Sequence, residues 1–227
     1  MSCYGPGVNY FGHASVAGWY HTGAALGGVA LGAMLPDFAN MIGARVPAPA
    51  DPEVAAGVAL HHRTDAAFHL LPIFVGLGRE LGARLAAAGC GRGPARATAH
   101  IGVELLLDGV IVDDPDARAA YAAGVAHQAT ALGWHEPGDA ERFALLRARL
   151  VHHGVPDDLR SPESVAARLL RAIGHRPLLR PSADDAAIIR RELAGFARRV
   201  AVAAPGLLAA LRATLDGTPT PEDRSGT

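Results

Sequence analysis

A chain of 227 residues, half of them apolar and 19% charged, can fill one sizeable core and is a poor fit to two. One globular domain over 1–216 with a disordered tail at 217–227 is therefore expected. Its 21 basic residues, all arginine, against 22 acidic ones exclude any general electrostatic reason to expect nucleic acid or an anionic membrane as partner. Cys3 and Cys90 lie far apart with no CxxC pair, which argues against a disulfide framework and a thiolate zinc site.

Aromatic residues make up only 5% while alanine, leucine and arginine dominate, a composition that favours helices over sheets. Residues 1–8 are rich in glycine and proline and predict irregular backbone. No basic residue precedes the first apolar stretch, so no signal peptide is expected and the cytoplasm is the default location. From Asn9, NYFGHASVAGWYHTGAALGGVALGAMLPDFANMIG carries many glycines, which predict short helices with close backbone contacts. The apolar run from Gly23 to Leu35 is too short to span a bilayer, and Asp37 closes it. His13 and Asp37 stand out as ionisable groups, and Pro36 predicts that Asp37 occupies a helix start or turn.

After a proline-rich loop at 44–52, Asp51-Pro52-Glu53 predicts a capped helix start, and the helix VAAGVALHHRTDAAFHLL should stop at Pro72. IFVGLGRELGARLAAAG reads as an amphipathic helix ending in the turn GCGRGP, and Pro94 begins a helix that runs to about Asp114. A further helix, DDPDARAAYAAGVAHQATALG, has Asp113, Asp114 or Asp116 as its cap. DAERFALLRARLVHHG is closed by Gly154, SPESVAARLLRAIG opens on Ser161, and ADDAAIIRRELAGFARRVAVAAPGLLAALRATL supplies one long helix or two broken at Pro205. No stretch alternates convincingly as a strand and no P-loop is present, so the fold expected is all-α, a single-domain helical bundle.

The helix RATAHIGVELLLDGVIVDD buries acid where acid is costly. Its apolar residues point in nearly every direction, yet His100, Glu104 and Asp108 fall at i, i+4, i+8 and form one polar stripe, each about 6 Å along from the last. Removing two carboxylates and an imidazole from water costs several kcal/mol unless cations or donors meet them. His61, Asp65 and His69 repeat the spacing on the earlier helix, with His62 and Arg63 to the side. Two such stripes facing one another would surround one small volume with nitrogen and oxygen ligands, as in helical metalloprotein cores. Ligation by imidazole and several carboxylates points to Mn²⁺, Mg²⁺ or Fe²⁺ rather than structural zinc.

The order NYFGH, GAMLPDF, GVALHHRTD, ELLLDG and GHRP, from about Asn9 to about Leu193, resembles the acyl carrier protein phosphodiesterase family. That resemblance implies a helical, HD-domain-like metal-dependent phosphohydrolase, with acyl carrier protein as a possible partner. It implies ligand roles for His13, Asp37, His61, Asp65, Glu104 and Asp108, and matches Arg176 and Pro177 to a late Arg-Pro element. The chain departs from the family pattern at His69, Glu104 and Gly109, and lacks the contiguous His-Asp pair.

Together these readings expect metal ligation by His13, Asp37, His61, Asp65, His69, His100, Glu104 and Asp108. Catalytic roles are expected for Asp65 or Glu104, accepting a proton from water, and for Arg176, stabilising the phosphorus. The bland alternative is a buried ionic network neutralised by Arg63 or Arg96, which would make the chain a binding module; His69 and His100 could equally orient a ligand from behind. A di-iron oxygenase is the rival chemistry on such a scaffold. His62, His127, His135, His152 and His153 are expected at the surface, and the arginines from Arg168 to Arg199 on exposed helix faces that could meet an acidic carrier.

Overall fold

The structure, a computed structural model, describes residues 9–128 and 131–217. Along them run α1 (Tyr10–Tyr20), α2 (Ala24–Met41), α3 (Pro52–Phe68), α4 (Pro72–Ala87) and α5 (Arg92–Ile111). There follow α6 (Pro115–Ala126), α7 (Asp139–His153), α8 (Pro162–Gly174) and α9 (Ala183–Asp216). Among the described residues the only strand pairing joins Ala48–Pro49 to Leu132–Gly133. The chain is an all-α, single-domain bundle. The expected irregular start at 1–8 and all but the first residue of the expected tail fall outside the described residues.

Side-chain caps set four of the helix starts. Asp51 accepts from the Glu53 backbone N–H ahead of α3, Asp114 from Asp116 ahead of α6, and Ser161 from Ser164 ahead of α8. In each case proline follows, where its missing N–H costs nothing. Ser182 and Asp185 close a reciprocal capping box at the start of α9.

Tertiary packing overrides the local signal in two places. Pro36 predicts Asp37 at a helix start or turn; instead α2 runs through the proline and puts Asp37 inside the helix. A proline there costs about 3 kcal/mol, which is offset because Gly28 to Ala39 are buried among α1, α3 and α6. Pro205 likewise lies inside α9, which stays one helix of 34 residues. The buried face of α9, from Ile189 through Leu193, Phe196, Val200, Ala204, Leu207 and Leu211 to Leu215, packs on α4, α5 and α8. α9 is also the one described helix long and apolar enough to cross a membrane; 28% of its apolar window is buried.

The expected close backbone contacts occur between α2 and α3. A Cβ on Gly32 would lie 2.1 Å from the Val54 carbonyl oxygen, and one on Gly57 2.2 Å from that of Val29. The two backbones touch, which sets His61, one turn beyond Gly57, against α2.

Candidate metal centre

Three helices contribute to an enclosed polar cluster. His13 of α1, Asp37 of α2 and His61 of α3 are all buried, and one ligand atom from each lies within 4.8 Å of the others. The His61 Nδ1–H donates to the Ala33 carbonyl at 2.8 Å, which fixes its tautomer and turns Nε2 toward the cluster. Asp65, one turn along, spans both imidazoles: Oδ1 is 3.3 Å from His13 Nε2 and Oδ2 is 3.5 Å from His61 Nε2. The first contact is too poorly aligned for a hydrogen bond, so both His13 ring nitrogens are buried without a hydrogen-bond partner, as are Asp37 Oδ2 and Asp108 Oδ2.

Glu104 and Asp108 reach the same region from α5. With His13, Thr64, Asp65, Asn9 and Ser15 they line a cavity of about 40 Å³ whose other wall is apolar, formed by Trp19, Phe68, Leu107, Leu208 and Leu211 among others. Asp108 packs so closely on α1 that a Cβ on Gly12 would lie 2.8 Å from its Oδ1. A second convergence sits beside the cavity: His69, the C-cap of α3, lies 2.9 Å through Nε2 from Glu104 Oε1, and His100 Nε2 lies 3.3 Å from the same oxygen.

Burial and neighbouring charge set the protonation states. Burial drives the Asp37 carboxyl up to about 7, helped by Asp65 and Glu104 and opposed by His13. Asp108 is raised well above the usual carboxylate range by burial, then by Glu104 and Asp37, against the pull of the Gly12 backbone N–H and Arg168. Burial, followed by His13, depresses His61 to about 3, so that imidazole is neutral and available as a ligand. For His13 burial works downward, but Asp65, Asp37 and Glu104 outweigh it and raise its pKa. Burial would raise Asp65 too, yet His13, His61 and His69 overcome it and hold the carboxyl at about 2.

Buried carboxyls and imidazoles with unpartnered atoms around a small cavity form a donor set that can hold a metal ion. Arg63 reaches the Leu215 carbonyl at 3.3 Å, and Arg96 is exposed. The arginine acting on Asp108 is Arg168, expected on an exposed helix face but half-buried, which contacts the Tyr10 hydroxyl at 3.1 Å and is gripped by both Asp158 oxygens.

The eight expected ligands thus gather in one region but sort into groups. His13, Asp37 and His61 make the enclosed one, flanked by Asp65; His69, His100 and Glu104 make the other; Asp108 lines the cavity without completing either. Arg176 is not brought to them. It lies in the turn after α8, two residues before Leu178, whose carbonyl abuts Gly93 near the start of α5. Gly93 precedes Glu104 by 11 residues, or roughly 16 Å of helix. His62, His135, His152 and His153 are exposed as expected, but His127 is half-buried, its Nε2 3.4 Å from Asp51 Oδ2. Asn9, Ser15 and Thr64 were missed as cavity-lining groups; small polar residues carry no spacing signal. Comparison of the chain with known protein families, curated proteins and solved structures finds no match.

Proposed function

We propose that the chain is a metal-dependent phosphodiester hydrolase, the activity implied by its resemblance to the acyl carrier protein phosphodiesterases. The observation that carries this reading is the cavity of about 40 Å³ bordered by His13, Asp65, Glu104 and Asp108, next to buried polar atoms with no partner. That volume suits an ion and an attacking water, since one water needs roughly 10–15 Å³ on the same measure.

His13, Asp37, His61 and Asp65 would hold the ion. When bound, a divalent cation supplies an acidified water and positive charge against the phosphoryl oxygens. The carboxylates in the donor set favour Mn²⁺, Mg²⁺ or Fe²⁺. Asp65, with its carboxyl held at about 2, is a weak base and serves as a ligand, so the expected base role passes to Glu104, which borders the cavity and is steadied by His69. Asp108, pushed upward, keeps a proton that it can give to the departing oxygen. Trp19, Leu208 and Leu211 keep bulk water from the reacting groups.

The carrier-protein partner rests on resemblance alone, for the arginines that would greet an acidic partner are partly committed: Arg168 to Asp158, Arg191 to Glu192 and Arg199 to Glu80. The test is metal analysis of the purified chain, followed by hydrolysis of bis(p-nitrophenyl) phosphate and of phosphopantetheinylated acyl carrier protein with Mn²⁺ and with chelator. Chelator-sensitive cleavage is expected. A chain that binds no metal, gains no thermal stability from Mn²⁺, Mg²⁺ or Fe²⁺, and cleaves neither ester would overturn the proposal in favour of a binding module. Bound iron with an oxo-bridge absorption and no cleavage would overturn it in favour of the oxygenase.

A further inference from the structure

We infer that His69, His100 and Glu104 form a second cation site, distinct from the enclosed His13–Asp37–His61 cluster, that takes a borderline transition-metal ion such as Zn²⁺ or Co²⁺ at the solvent-facing edge of the cavity. One ligand atom from each of the three lies within 4.8 Å of the others. The two imidazoles present the same nitrogen to the same point, since each Nε2 approaches Glu104 Oε1, at 2.9 and 3.3 Å. Two atoms bound to one tetrahedral ion at about 2.0–2.1 Å stand roughly 3.4 Å apart, so small side-chain rotations bring all three to ligand distance.

The rings are held in this attitude. Their centroids are 4.7 Å apart, and Phe74 packs against both, at 5.4 Å from His69 and 5.5 Å from His100. Phe68 adds an edge contact to His69 at 5.8 Å. An aromatic wall on two imidazoles removes rotamer freedom that a ligand would otherwise have to freeze, which lowers the cost of binding. Two imidazoles and one carboxylate suit a borderline ion better than Mg²⁺ or Ca²⁺, which prefer oxygen alone.

Exposure separates the two sites. The His13 side chain is 3% exposed, whereas those of His69 and His100 are 14% and 33% exposed. Three protein ligands at the edge leave coordination positions open to solvent, the arrangement of an exchangeable ion that can meet an anionic ligand. Glu104 would hold the outer ion through Oε1, which leaves Oε2 to take the proton from water; because Glu104 also borders the inner cavity, a phosphoryl oxygen entering there would pass close to the outer ion.

The inference rests on the reading that this region binds metal, and the test separates the two. The chelator-stripped full chain is titrated with Co²⁺, with visible absorption and calorimetry recording stoichiometry, beside H100Q, H69Q and D37N. Two equivalents are expected for the unaltered chain. H100Q and H69Q should each weaken one equivalent by at least the roughly 10–100-fold seen when groups supporting a ligand are removed, and leave the other intact. D37N should lose the complementary one. Far-UV circular dichroism confirms folding, and the partial exposure of both histidines makes either variant sufficient. One equivalent in the unaltered chain, undiminished in H100Q and H69Q, overturns the outer site and spares the hydrolase reading. Two equivalents undiminished in both variants overturn it as well, and no bound Co²⁺ at all overturns both.

Discussion

Asp37 offers the sharpest separation between a metal ligand and a structural acid. Its carboxyl moves from the ordinary 3.8 to about 7 inside α2, chiefly through burial, so ionising it in the fold costs about 4 kcal/mol more than in water at about 1.4 kcal/mol per pH unit. Because the folded form binds the proton more tightly, this destabilisation is absent below about pH 4, grows as pH rises, and is complete above about 7. D37N keeps the shape and removes the charge. Part of the gain is returned because the Asp37 carboxylate also helps raise His13, which leaves a net stabilisation of the metal-free chain of roughly 2–4 kcal/mol at pH 8. For a chain of this length that is roughly 5–15 °C in Tm. His61 contributes the opposite slope: its depression from 6.5 to about 3 adds stability as pH rises across that window, so only the difference between variant and parent isolates Asp37. The assay is urea unfolding of chelator-stripped protein at pH 4.5 and pH 8, repeated with Mn²⁺. Metal should stabilise the parent, by about 2.7 kcal/mol at a hundredfold excess over Kd, and D37N much less. A metal-free D37N that unfolds earlier than the parent at pH 8 would refute the argument, because it would mean that the carboxylate is matched by donors within the fold.

G57A should force α3 off α2, since its new Cβ would meet the Val29 carbonyl at 2.2 Å and backbone cannot rotate away; a loss of about 1–3 kcal/mol in urea and weakened metal binding through the displaced His61 are expected. D108N should abolish turnover of the phosphodiester while leaving helical circular dichroism intact, and full activity in that variant would remove Asp108 from the chemistry. R176A should leave hydrolysis within about a factor of two, because the half-buried Arg176 does not line the cavity. A large fall in kcat would bring Arg176 back to the site.

Helix starts at Asp51 and Ser161, an acidic cap among Asp113, Asp114 and Asp116, the all-α class, and the His61–Asp65–His69 and His100–Glu104–Asp108 stripes were legible in the sequence because caps and 3.6-residue periodicity act within a turn or two of chain. The pool of candidate ligand side chains was legible for the same reason, being acids and imidazoles on helices otherwise apolar. Spacing along a helix says which side a residue occupies but not which neighbour lies opposite. The contact of Gly32 with Val54 and of Gly57 with Val29 set α3 against α2 and joined His61 to Asp37, and the packing of Asp108 on Gly12 drew α5 to α1. Only those long-range contacts carried α2 through Pro36, divided the expected ligands into an enclosed and an edge group, and left Arg176 near the far end of α5, because burial summed over several helices outweighs what any one segment prefers by itself.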